Sequence, residues 1–202
     1  MIRGGLLLSV ALIILASGGS RRLGRPKQLL PFNGTTLLRH ALVTAIQTEC
    51  SPIIVVLGAN REEILPETAE LPVEIAVNTS WEEGLSSSIR CGMQHLADSR
   101  PDAEAVIIAL CDQPKIDLDI YSALIGAYRE GADLAACEYK DTVGVPAQFS
   151  RHYFPALLSL YGDQGAKLIL KARREDVRAI PFPDGAIDID TMQDYEALLR
   201  NQ

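Results

Sequence analysis

Short unbroken apolar runs alternate along this chain with longer segments whose apolar positions recur at helical spacing. "VALIILA" (Val10 to Ala16) is the first such run, and turn residues follow it at once, which predicts a strand buried on both faces. A loop from Ser17 to Asn33 comes next. Thr35 or Thr36 then caps a helix through about Thr48, with Leu37, Leu38, Ala41, Leu42 and Ala45 on one side. "IIVVLG" (Ile53 to Gly58) predicts a second buried strand, after which Gly58, Ala59 and Asn60 turn the chain into a short helix closed by Pro66. "VEIAV" (Val73 to Val77) is a third strand, and a helix runs from about Leu85 to Leu96. "AVIIAL" (Ala105 to Leu110) is a fourth strand, followed by a helix from about Leu118 to Glu130 and a strand near Leu134 to Glu138. Beyond that, "VGVPAQF" is extended, Arg151 to Leu160 and Gly165 to Ala172 read as helical, "VRAIPF" is a short strand, and Met192 to Arg200 is a terminal helix.

Strands alternating with helices predict an α/β fold with a mainly parallel sheet covered on both faces. Such sheets bind ligands outside the carboxyl ends of their strands, where the strand order reverses. The segments just after strands one, three and four are therefore the informative ones. The 202 residues fit one domain, with no internal repeat, low-complexity tract or linker, and residues 1–9 as an N-terminal arm.

Composition narrows the function. A net charge of −7 argues against a nucleic-acid surface or an anionic membrane, both of which reward clustered Lys and Arg. No apolar stretch reaches the roughly twenty residues of a spanning helix. The four cysteines are scattered without a C-x-x-C pattern or a His at ligand spacing, so they read as buried free thiols in a reducing cytoplasm. The first seventeen residues can also be read as an export signal, with Arg3 as charged start, Leu6 to Ala16 as apolar core and small residues after it. Cleavage there would remove the strand that feeds the glycine-rich loop, which favours the strand reading.

That loop concentrates positive charge in an acidic protein. Ser17 to Lys27 reads "SGGSRRLGRPK", in which adjacent glycines let several N–H groups converge while Arg21, Arg22, Arg25 and Lys27 add charge, the composition of an anion cradle. Gly19 and Gly24 have P-loop spacing, but Arg25 and Pro26 stand where Lys and Ser/Thr are required, and the glycines do not form G-x-G-x-x-G. After the third strand, Gly84 permits a sharp turn, and Ser86, Ser87 and Ser88 sit near a helix N-terminus that can bind polar ligand atoms. In "ALCDQP", Asp112 ends a strand of apolar residues, placed either to hold a magnesium ion on a triphosphate or to mark a turn. His40, His95 and His152 have no partner at a telling spacing and read as ordinary surface or half-buried residues.

Leu15 to Lys27 resembles the loop of the MobA-like nucleotidyltransferases, whose pattern is close to L-A-x-G-x-S-x-R-x-G-x-P-K, and is most similar to the molybdenum-cofactor cytidylyltransferase branch. Ser17 departs slightly from the family's usual Ala or Gly. "NTSWEEGLSSS" is similar to the family's N-x-x-W-x-x-G-x-x-S-S segment, "CDQP" to its D-Q-P, "GDQGA" to its G-D-x-G-A, and "DIDTMQDY" to its D-I-D-T-P-E-D-Y with Met192 replacing Pro. The resemblance implies a Rossmann-like three-layer fold of the nucleotide-diphospho-sugar transferase type. It implies transfer of a nucleotidyl group, CMP favoured, from an NTP to a phosphate monoester of the molybdopterin type, with Mg²⁺ as cofactor. A sugar-1-phosphate acceptor, or a non-catalytic cofactor carrier, stands as the alternative. Partners would be CTP, the pterin, and a molybdoenzyme or its maturation chaperone. Arg22, Lys27 and Asp112 would be catalytic. Leu15, Ala16, Ser17, Gly18, Gly19, Ser20, Asn78, Gly84, Ser86 and Ser88 would join Arg22 and Lys27 in holding the nucleotide, with Trp81 covering the site. Gly162, Asp163 and Gly165 would face the acceptor. Asp112 and Asp188 would hold the metal, with Asp190 as the alternative second ligand or a helix cap. A phosphate acceptor is already anionic at neutral pH, so no general base is needed, and catalysis reduces to positioning and charge neutralisation.

Overall fold

The computed structural model describes residues 9–186, 189 and 191–200. In chain order the elements are β1 (Val10–Ala16), β2 (Pro31–Phe32), β3 (Thr35–Thr36), α1 (Leu37–Ala45), β4 (Ile53–Leu57), α2 (Arg61–Ile64), β5 (Glu74–Val77), α3 (Leu85–Ser99), β6 (Ala105–Leu110), α4 (Leu118–Arg129), β7 (Leu134–Tyr139), β8 (Thr142–Ser150), α5 (Phe154–Leu158), α6 (Lys167–Ala172), β9 (Arg178–Pro181) and α7 (Met192–Arg200). Seven strands form one sheet in the order β5-β4-β1-β6-β8-β7-β9. Only β8 runs against its neighbours β6 and β7, so the mainly parallel sheet expected from the alternation is the one observed.

Every residue of β1 is buried. Successive side chains of a strand point to opposite faces, so β1 feeds two cores at once. Leu12 and Ile14 pack with Leu38, Leu42, Tyr121 and Leu124 of α1 and α4, whereas Ile13 and Leu15 pack with Ile89 and Met93 of α3 and with Leu157 and Leu170 of α5 and α6. This gives the three layers. A smaller apolar cluster joins Leu23, Leu30, Phe32 and Leu37 to Ile189, Tyr195 and Leu198, and the Tyr195 hydroxyl donates to the Pro31 carbonyl at 2.6 Å. The end of the glycine-rich loop is thereby fastened to α7.

Several local readings change. The loop to Asn33 contains a short helical turn at Lys27–Leu29 and leads into the β2–β3 hairpin. Asn33 and Gly34 both have positive φ there, the geometry of a tight two-residue turn. Thr36 caps α1 by accepting from the Arg39 N–H at 3.2 Å. The helix expected over Arg151 to Leu160 is shorter: Arg151–Tyr153 is a 3-10 turn, and α5 begins only at Phe154. His95, which has no partner at a telling spacing in the sequence, is half-buried as expected and lies with its Nε2 2.7 Å from Glu74 Oε2, a contact across α3 and the edge strand β5.

Strand order reverses at β1. The chain first moves outward through β4 and β5, then returns to the other side of β1 as β6. Leu15 pairs with Leu110, and the Cys111 N–H still donates to the Leu15 carbonyl at 3.2 Å, so the glycine-rich loop and Asp112 leave the sheet side by side. That crevice is where a ligand site belongs.

Candidate active site

Ser17, the first residue after β1, is anchored by its backbone and by its side chain. Its carbonyl accepts from the Ala59 N–H at 3.0 Å, and its Oγ lies 2.5 Å from Ser88 Oγ. Asn78, at the end of β5, donates from Nδ2 to Ser87 Oγ at 2.8 Å and to Ser88 Oγ at 3.0 Å. These four buried polar side chains hold the start of the loop against the first turn of α3. Buried polar groups are tolerated when satisfied in this way. Ser88→Ala is expected to lower unfolding free energy by about 1 kcal/mol, the net worth of one such bond, and to raise the nucleotide KM severalfold as Ser17 loosens; chemical denaturation and steady-state kinetics check the two effects.

The loop is also held from inside. Gln28 is fully buried, and its Nε2 donates to the carbonyls of Ala16 at 2.7 Å and Gly18 at 2.9 Å. The Lys27 N–H donates to Ser20 Oγ at 2.9 Å, and Ser20 itself takes a positive φ, a conformation uncommon for a residue other than glycine. With these carbonyls turned toward Gln28 and Ser20 Oγ engaged, the loop backbone is a fixed scaffold. Lys27 Nζ makes a close ion pair with Asp112 Oδ2, bridging the loop and the end of β6. Both side chains are largely buried, at 18% and 8% exposure, so the charges neutralise each other in a poorly hydrated place. Asp112 Oδ1 is buried and accepts no hydrogen bond. Next to it, burial pushes the Cys111 thiol up to about 12, so it stays protonated and is no nucleophile at neutral pH.

A cavity of about 410 Å³ opens over these groups. Its walls include Leu15, Ala16, Ser17, Gly18, Gly19, Lys27, Gly84, Ser88, Asp112 and Asp163, so most of the residues singled out in the sequence come together. Gly84 has φ of +100°, and a Cβ there would fall 1.9 Å from Asp163 Oδ1, which explains why the start of α3 and the 162–165 segment can meet. The Ser86 N–H donates to the Gly162 carbonyl at 3.1 Å across that contact.

Other expected residues stand apart. Ser86 Oγ is buried without a partner and does not line the cavity, and Asn78 supports the serines from behind while facing a second cavity. Ser20 serves the loop internally. Arg22 is exposed and is not among the lining residues; its neighbour Arg21 is. Gly162 and Gly165 shape the segment that brings Asp163 to the wall. Asp188 and Asp190 lie outside the described residues. Among the described residues, no group of three or more His, Cys, Asp or Glu gathers in metal-binding geometry. No helix among them is long and apolar enough to cross a membrane. Gln28 and Glu82 escaped the sequence reading, in which Arg21 figured only as one of four loop cations, and nothing in the pattern pointed to Gln28.

The sequence model of the MobA-like NTP transferase domain matches residues 12–177. The chain belongs to the MobA-like NTP transferase family. Its fold is the nucleotide-diphospho-sugar transferase type, and its activity is that of a nucleotidyltransferase family. Among the relatives of this MobA-like chain, nicotine blue oxidoreductase of Paenarthrobacter nicotinovorans is 32% identical, over 93% of this chain and 95% of its own length. A probable molybdenum cofactor guanylyltransferase of Bacillus cytotoxicus is 36% identical over 54% of this chain and 51% of its own. Among solved structures, Rv0371c of Mycobacterium tuberculosis in complex with manganese is 29% identical, with a TM-score of 0.80, covering 96% of this chain and 100% of that one.

Proposed function

We propose that this MobA-like protein transfers a nucleotidyl group, CMP by preference, from an NTP to the phosphate monoester of a molybdopterin-type cofactor carrying molybdenum. The observation that carries the reading is the Lys27–Asp112 pair at the crevice beside the glycine-rich loop, with Asp112 Oδ1 buried and unbonded. An oxygen of the acceptor phosphate attacks the α-phosphorus, the α–β phosphoanhydride bond breaks, and pyrophosphate leaves with the bonding electron pair. The chain's task is to bring two anions together and to stabilise the charge that grows on the leaving group. Backbone N–H groups of the loop and Lys27 would hold the phosphates, while Asp163 and the 162–165 segment would face the acceptor.

Asp112 fits a divalent cation such as Mg²⁺, because an unbonded carboxylate oxygen inside a polar cavity is costly unless a positive partner takes it. Magnesium commonly uses one or two carboxylates together with substrate phosphates and water, so a single described carboxylate suffices on the protein side. Bound there, the ion would neutralise charge on phosphate oxygens. The manganese complex of Rv0371c and the cofactor named for the B. cytotoxicus relative support this reading.

The test is pyrophosphate release by the full chain with Mg²⁺, offering CTP, GTP, ATP and UTP in turn, with and without molybdopterin carrying molybdenum. Release with CTP that depends on the pterin is expected. Release with sugar-1-phosphates instead would move the acceptor, and nucleotide binding without any release would make the protein a carrier. The name of the P. nicotinovorans relative supports a second reading, redox chemistry on the compound it names, nicotine blue. A change in the absorption of nicotine blue on incubation with the full chain and a reductant, without pyrophosphate chemistry, would select it.

A further inference from the structure

Arg21 occupies a variable position of the loop pattern, one residue before the arginine to which the resemblance gives a role. Its surroundings are nevertheless specific. Its Nη2 lies 2.9 Å from Glu82 Oε1, and its guanidinium carbon lies 5.8 Å from the centre of the Trp81 ring. Trp81 in turn rests on the backbone of the cradle: a Cβ on Gly19 would sit 3.0 Å from Cζ3 and 3.2 Å from Cη2 of the indole. Arg21, Trp81 and Glu82 all line the 410 Å³ cavity. Trp81 and Gly19 also line a neighbouring cavity of about 680 Å³, beside α2, so the indole stands between two spaces.

This arrangement conflicts with a bound triphosphate. The indole occupies the space over Gly19 within the cavity beside the loop, and the Glu82 carboxylate on the same wall would repel phosphates brought there. Glu82 also engages a cation that the phosphates would attract. The Arg21–Glu82 pair is mostly exposed, at 77% and 68%, and exposed pairs of this kind hold weakly. A doubly charged terminal phosphate offers a guanidinium stronger, bidentate hydrogen bonds than one exposed carboxylate does.

Building on the nucleoside triphosphate reading above, we propose that Arg21 is a phosphate-binding residue, held by Glu82 and Trp81 and transferred to the terminal phosphates of the nucleotide as it binds. Trp81 then leaves Gly19, and the partition between the two cavities shifts with it. Glu82 acts as a competitor for Arg21 and so sets the nucleotide affinity from outside the reacting atoms.

Trp81 is the chain's single tryptophan, so tryptophan emission reports on its surroundings and on no other residue's. The experiment titrates the full chain with Mg·CTP, and with the other three triphosphates, following Trp81 fluorescence and binding heat in parallel. A saturable change in emission with the same Kd as the heat is expected. Arg21→Ala should weaken binding about tenfold, whereas Glu82→Gln should tighten it about two- to fivefold, the size expected for release from an exposed pair. Arg25→Ala removes the same charge from the same loop, but Arg25 is exposed, is not among the cavity-lining residues and reaches toward Met192, so a change under twofold is expected. Binding heat without any change in emission, or equal losses in Arg21→Ala and Arg25→Ala, would overturn the exchange and leave the nucleotidyltransferase reading intact. Absence of binding heat with all four triphosphates would overturn both.

Discussion

Lys27→Ala is expected to lower the rate of pyrophosphate release by about two to three orders of magnitude, the loss typical of removing one donor that stabilises transition-state charge. Lys27 spends its charge on Asp112, and both side chains are largely buried. On the proposed reading, an arriving nucleotide with its cation would offer each of them a new partner, phosphate for Lys27 and the cation for Asp112. The pair can therefore divide without leaving either charge unmatched. In the variant, Asp112 keeps its buried charge with neither lysine nor triphosphate beside it, so the folded state also suffers, by about 3–5 kcal/mol if the carboxylate stays ionised. The two effects separate by measurement: kcat at saturating nucleotide reads the first and a denaturant titration the second. Asp112→Asn keeps the shape of the side chain and should lose activity comparably with a smaller loss of stability. Turnover by Lys27→Ala within tenfold of the unaltered protein would show that Lys27 only secures Asp112 in the resting state.

The elements that build this crevice were largely readable in the sequence because burial on both faces leaves an unmistakable mark. Val10–Ala16, Ile53–Leu57 and Ala105–Leu110 are continuous apolar runs, and each is a central strand. Direction left no such mark. Periodicity says that Thr142–Ser150 is extended but not that it runs opposite to β6 and β7, and its turn, Lys140 and Asp141 with positive φ at both positions, lacks the usual glycine or asparagine. The β2–β3 hairpin did carry its signal, Asn33-Gly34, but strands of two residues are too short for an alternating pattern.

The site divided in the same way. Glycines, the strand-end aspartate and the helix-start serines drew notice by residue type, and the fold brings Gly18, Gly19, Gly84, Ser88 and Asp112 to one cavity while Ser86 stays outside it. Which arginine of the Arg21–Arg22 pair faces the cavity depends on side-chain direction at adjacent loop positions, and no period fixes that. The meeting of Gly84 with Asp163 joins segments 79 positions apart, through a conformation that glycine alone adopts easily. The His95–Glu74 contact likewise joins α3 to an edge strand whose neighbour the chain order does not reveal.

Gln28→Leu is expected to cost about 1–3 kcal/mol of unfolding free energy, because it strips buried carbonyl acceptors of their donor while keeping much of the apolar packing. The sequence hides this residue for a physical reason: its partners are the backbone carbonyls of Ala16 and Gly18, which no residue type records. Its effect should nevertheless reach the chemistry. Those two carbonyls flank Ser17, and while Gln28 holds them inward, the loop cannot turn carbonyl oxygens toward a triphosphate. Without Gln28 the peptide units from Ala16 to Gly19 can rotate, and each carbonyl that faces the cavity opposes the anion instead of leaving the space to N–H groups. The nucleotide KM is therefore expected to rise about tenfold or more, with kcat reduced less, since on the proposed reading Lys27 still meets the phosphates and Asp112 the cation. Gln28→Glu keeps the shape but sets an oxygen against the two carbonyls, so it should be worse than leucine in stability at neutral pH and recover in part as acid protonates the carboxylate. Denaturant titrations of the three proteins across that pH range, paired with nucleotide KM at neutral pH, check the assignment; a leucine variant as stable as the unaltered chain, with unchanged KM, would mean that the loop holds its shape through Ser17, Ser20 and Ser88 alone.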